Sequence, residues 1–155
     1  MSPKATHTRR LRRLADILER FRPTNGKRFD MNTWGRHDGS HHPEQEKNFC
    51  GTAACALGHA ALDPKFRQAG LGVRWEEEPE YDYDVRPSRA TGKVASYGAT
   101  IHFRDHTAED AGAAFFGLAL KEAYDLFMRT SRSKSRVVAL LRKYATDRAE
   151  LRDEA

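Results

Sequence analysis

Both cysteines of the chain, Cys50 and Cys55, fall in the run NFCGTAACALGHAAL, Asn48 to Leu62. A cysteine at a helix start faces unpaired N–H groups and the positive end of the helix dipole, which favour thiolate. Cys50 follows directly on a polar stretch and reads as the mouth of such a helix, so nucleophilic catalysis is one chemistry open to it. A base is then needed. His102, in the segment GATIHFRD, and His106 beyond it supply imidazoles, and Asp105, Asp82 or Asp84 supply a carboxylate to orient one. Cys50, His102 and Asp105 form the candidate catalytic set. The competing reading makes Cys50 a small apolar residue of the core and puts His102 on an exposed sheet face, and it is the preferred one.

Metal binding is the second chemistry, through Cys50, Cys55 and His59 with His41 or His42 as a fourth ligand. On one helix Cys55 and His59 lie a turn apart, but Cys50 points about 140° away from Cys55. The spacing C-x4-C-x3-H lacks a second compact ligand pair, so neither a metal nor another cofactor is assigned. The same divergence argues against a Cys50–Cys55 disulfide. His59 then reads as a buried histidine bonded to a loop carbonyl or to Asp63, and Trp34 as a core anchor.

Charge offers the third chemistry. The net charge is +5, and cations crowd two places. Arg9, Arg10, Arg12 and Arg13 lie in the first helical segment; Arg129, Arg132, Lys134 and Arg136 lie at the start of the last. Such clusters attract phosphates or acidic surfaces. The candidate binding residues are Arg9, Arg10, Arg12, Arg13, Arg132, Lys134 and Arg136, with a nucleic acid or an acidic protein as partner. A solvated surface without a partner is the competing reading, and no recognised nucleic-acid motif accompanies the charge.

These residues need a scaffold. At 155 residues, 39% hydrophobic and 32% charged, the chain reads as one globular domain rather than a disordered segment. No run is long and apolar enough for a membrane span, and the basic N-terminus lacks the apolar core of a signal peptide. Two cysteines make no disulfide framework, so a reducing cytoplasm is expected. Leu11, Leu14, Leu18 and Phe21 predict an amphipathic helix over 7–21 ending near Pro23. Asn25-Gly26 marks a turn, residues 28–34 an extended piece, and residues 35–48 a polar loop carrying His37, His41 and His42.

Residues 50–62, apolar or small on most sides, predict a buried central helix that Asp63-Pro64 ends. Leu71–Trp75 and Tyr81–Val85 read as strands separated by an acidic turn at 76–79, and 94–104 as another strand after a turn at 89–93. Thr107 caps a helix reaching Phe116-Gly117. Leu120, Tyr124 and Phe127 mark one face of the next helix. Ser133 or Ser135 caps the last, with Val137, Leu141 and Tyr144 inward. The expected fold is one α+β domain: the central helix against a small antiparallel sheet over about 71–104, with N- and C-terminal helices flanking.

Two resemblances add to this. A helix-borne Cys50 followed by a strand-borne His102 resembles papain-like and NlpC-type folds, and Cys50-Gly51 resembles the Cys-Gly start of papain's catalytic helix. That likeness implies a hydrolase or transferase with Cys50 as nucleophile and His102 as base. Over a longer span, Phe29-Asp30-Met31, Trp34, then Cys50-Gly51-Thr52, Cys55 and Gly58-His59-Ala60 resemble a group of small proteins encoded by bacteria and their phages. Phe115-Phe116-Gly117-Leu118, Glu122-Ala123 and Leu126-Phe127 continue the likeness. No activity is established for that group, so it brings no catalytic role to any residue. Its members often carry Trp at the His59 position, which implies packing rather than ligation. The implied setting is an intracellular accessory protein of bacterial or phage origin.

Overall fold

Ser2 starts the first helix of the computed structural model, which describes residues 2–22, 28–30, 33, 35–38, 52–129 and 133–153. Positions singled out above at Asn25, Gly26, Met31, Trp34, His41, His42, Cys50, Gly51 and Arg132 lie outside the described residues. Helix α1 spans Pro3–Arg20; the Ser2 hydroxyl accepts from the Ala5 N–H at 3.3 Å, and Pro3 occupies the first turn, where its missing N–H is harmless. It starts four residues before the expected boundary and buries the expected stripe, Leu11, Leu14 and Leu18, together with Ala15.

Short strands β1 (Arg28–Phe29), β2 (Arg36–Asp38) and β3 (Thr52–Ala54) come next. They join β4 (Gly72–Asp82) and β5 (Arg89–Phe103) in one sheet ordered β1-β3-β2-β5-β4, in which only β1 and β3 run parallel; β6 (His106–Thr107) pairs with β5 beyond a two-residue turn. Three expectations change here. His37 sits not in a loop but in β2, opposite Tyr97, and is buried. The acidic run 76–78 belongs to a continuous strand. Solvent reaches it there, and the register shifts on either side of Pro79 let an edge strand hold a residue with no N–H to give. The turn between β4 and β5 lies at 83–88, not at 89–93; the Asp82 carboxylate opens it by accepting from the Asp84 N–H at 3.0 Å.

The expected helix over 50–62 is shorter than its pattern. Thr52–Ala54 is strand β3, and helix α2 covers only Ala56–Leu62, with Cys55 as its N-cap. Small residues satisfy strand and helix alike, and pairing with β2 on one side and β1 on the other decides for the strand. Residues 56–61 of α2 are all buried, so a central buried helix against an antiparallel sheet is what forms. Asp63 closes α2 and caps α3 (Pro64–Gln68).

Thr107 precedes α4 (Ala108–Phe116) as its N-cap, although its hydroxyl makes no capping bond. Helix α5 (Leu120–Phe127) is turned from the expected orientation. Ala123, Leu126 and Phe127 face the core, while Leu120 is 63% and Tyr124 55% exposed. Ser133 caps α6 (Lys134–Asp153), its hydroxyl accepting from the Arg136 N–H at 3.2 Å. Val137, Val138, Leu141 and Ala145 of α6 pack on α1 in the same core cluster as Leu57, Ile101, Phe103, Phe115 and Phe116. The two long helices run in opposite directions, since Lys134 reaches Phe21 while Arg142 reaches Asp16 and Glu19.

Candidate functional site

Cys50 lies outside the described residues, and the element expected to carry it as a helix-mouth thiol begins only at Ala56. Cys55 takes that place instead. It is 1% exposed, and burial pushes its thiol up to about 11, although N–H groups of the first turn of α2 pull the other way. A thiol so held is neutral at physiological pH and serves as a cap, not a nucleophile. His59 lies between the rings of Phe21, 4.6 Å away and tilted, and Phe29, 5.9 Å away and stacked. Asp63 turns to Arg13. Among the described residues no three His, Cys, Asp or Glu side chains come together as a metal site.

His102 alternates with Ile101 and Phe103, both buried in the core, so its imidazole occupies the opposite face of the sheet. Its cross-strand partner is Gly72, where any Cβ would collide with the ring. The missing side chain on β4 is what lets the imidazole lie flat across the sheet. Asp105 is exposed in the turn between β5 and β6, and among the described residues no hydrogen bond or ion pair joins it to His102.

The basic clusters divide into two kinds of residue. Arg10 donates to the Phe115 carbonyl at 2.8 Å and lies 4.0 Å over the Phe115 ring. Arg13 grips Asp63 with two bonds, 2.9 and 2.8 Å, and faces Phe66. Lys134 donates to the Phe21 carbonyl at 3.1 Å, where the end of α1 leaves an acceptor open. These three join elements of the fold. Arg9 and Arg12 are exposed and have neither hydrogen bond nor ion pair among the described residues. Arg136 is exposed at the start of α6.

Helical spacing sets Arg9, Arg12, Arg13, Asp16, Ile17 and Arg20 along one shallow groove of α1. Asp16 within it and Glu19 beside it are both engaged by Arg142 of α6, which leaves the groove to its cations. Arg20 is the groove residue that charge clustering in the sequence did not single out. Its spacing from Arg9, Arg13 and Asp16 on one helix was the available signal. No described helix is long and apolar enough to cross a membrane. Comparison of the chain with family models, with curated proteins and with solved structures finds no match.

Proposed function

We propose that the chain is a non-enzymatic accessory protein that binds an anionic macromolecule, nucleic acid or an acidic protein, through the arginine groove of α1. The observation that carries this reading is the division of labour among the cations. Arg10, Arg13 and Lys134 are taken up by the fold, whereas Arg9, Arg12 and Arg20 stand exposed along one groove, with Asp16 in it and Glu19 beside it engaged by Arg142. Unpaired guanidiniums on a rigid helix face can donate in pairs to phosphate or carboxylate without first giving up an internal partner. Arg136 adds an exposed cation at the start of α6. The setting inside a bacterial cell, as a bacterial or phage product, belongs to the same proposal and rests on the motif resemblance.

Binding of labelled duplex DNA, single-stranded RNA and an acidic polypeptide, followed by fluorescence anisotropy over a range of salt, tests it. For duplex DNA the affinity should fall linearly with salt on logarithmic axes, and neutralising Arg9, Arg12 and Arg20 together to Gln should lower that slope by about three. An affinity for the acidic polypeptide alone would assign the groove to a protein partner. Absence of binding to all three at low salt, or a triple variant that binds like the unaltered chain, would refute the proposal.

A further inference from the structure

Three rings meet edge to face across three elements. Phe66 of α3 and Phe115 of α4 have centroids 5.3 Å apart, and Phe115 and Phe103 of β5 5.1 Å apart. Each ring carries a guanidinium: Arg13 at 5.7 Å from Phe66, Arg10 at 4.0 Å from Phe115, Arg104 at 4.9 Å from Phe103. Neighbouring rings thus hold neighbouring guanidiniums, each placed over its own ring. Counter-charge stands at one end only, where Asp63 takes Arg13. Among the described residues no carboxylate pairs with Arg10 or Arg104. Arg10 gives one N–H to the Phe115 carbonyl, and a guanidinium has five.

Two unfavourable features coincide here. Like charges on adjacent rungs repel, and Arg10 is held below its ordinary pKa, first by burial and then by the Arg104 charge. Arg104 also has φ 55°, a left-handed conformation that a side-chain-bearing residue adopts at some cost and that glycine would take freely. Strained backbone of this kind clusters at ligand clamps. A bound oxyanion would offset the repulsion directly, because phosphate oxygens accept parallel N–H bonds from guanidinium.

We propose that Arg10 and Arg104, positioned by the edge-to-face pair Phe115 and Phe103, form a phosphate clamp that holds the oxyanion of a phosphoryl group or a phosphodiester between their guanidiniums. None of Arg9, Arg12 and Arg20 belongs to it, so it lies beyond the groove proposed above and stands independently. Arg104 was not among the residues picked out by charge clustering, since it is isolated in sequence.

The test follows the arginine Nε–Hε resonances of the full chain by NMR during titration with inorganic phosphate and then with a short single-stranded oligonucleotide, at constant ionic strength. Repeating both in the Arg9→Gln/Arg12→Gln/Arg20→Gln background makes the oligonucleotide arm report on the clamp alone. The Arg10 and Arg104 resonances should shift and saturate, and Arg104→Gln should weaken phosphate binding about ten-fold or more. Arg104→Gly should raise the Tm in phosphate-free buffer and lose the same response, which guards against a misfolded variant. Tighter saturation by the oligonucleotide identifies a phosphodiester strand as the ligand; tighter saturation by phosphate identifies a free phosphoryl anion. Shifts that fail to saturate with either probe, or an Arg104→Gln titration matching that of the unaltered chain, would overturn the clamp.

Discussion

His7 sits where α1, the end of α4 and α6 meet. Gly117 ends α4 with φ 65°, and any Cβ on it would collide with the His7 ring. The Gly117 carbonyl accepts from Arg148 of α6 at 3.1 Å, which brings a second cation beside the imidazole that Arg10 already flanks. Burial first, then Arg10 and Arg148, hold the His7 pKa below its ordinary value of 6.5. The unfolded chain therefore takes up this proton more readily than the folded one. The contribution of a neutral His7 is fully present above about pH 6.5 and is lost as pH falls through the unfolded value toward the folded one. The urea midpoint should decline between about pH 7.5 and 5.5 on that account, and His7→Gln should flatten the decline. An identical pH profile in the variant would show that other groups set it. Cys55 and His59 teach the complementary lesson at this scale. Residue types that could bind a metal or attack a carbonyl are here a cap and a ring packed between Phe21 and Phe29.

Among elements, the junction of α2 and α3 depends on Asp63. Its N–H closes α2 on the Ala60 carbonyl, one carboxylate oxygen caps α3 by accepting from the Phe66 N–H at 3.1 Å, and both oxygens take Arg13 of α1. Asp63→Ala should cost about 2 kcal/mol by denaturant unfolding, roughly half from the lost cap and half from the partly exposed ion pair. Asp63→Asn keeps a capping oxygen and should recover about half of that. A loss under about 0.5 kcal/mol in the alanine variant would mean that the junction is held by burial alone. Asp63-Pro64 was legible as a helix stop because proline carries its own geometry. Helices α1, α4, α5 and α6 were legible too, since three- and four-residue apolar spacing survives without knowledge of neighbours; the five-residue α3 was not, and α5 buries a different face from the expected one. What the sequence hid was pairing. Thr52–Ala54 has no intrinsic strand signature and becomes a strand only because β1 and β2 flank it, while the 76–78 carboxylates look like a turn until β5 supplies a partner for the strand. The candidate site followed the same rule. Arg9 and Arg12 could be read from clustering, but the separation of Arg10 and Arg13 from them depends on Phe115 and Asp63, distant in sequence.

At the scale of the molecule, α1, α3, α4 and the sheet meet at Phe115. This ring is fully buried and touches Phe66, Phe103 and Phe116, with Arg10 of α1 above it and its own carbonyl bonded to that arginine. Buried apolar residues of α1, α2, α4, α5 and α6 belong to one cluster with Ile101 and Phe103 of β5, so the helices have no core separate from that end of the sheet. Phe115→Ala should accordingly cost about 4 kcal/mol, a large share of the stability of a domain this size. Near-ultraviolet and far-ultraviolet circular dichroism should lose their signals in one coincident transition at lower denaturant. A double-mutant cycle with Arg10→Ala should return a coupling of about 1 kcal/mol, the cation lying on the ring it loses. Separate transitions for the two signals would mean that side-chain packing is lost before secondary structure, with an intermediate between them. The clamp proposed on Arg10 and Arg104 would then loosen in that intermediate, because Arg10 belongs to α1 and Arg104 to the turn after β5. A coincident transition instead ties the rigidity of that clamp to the same packed ring that holds the fold together.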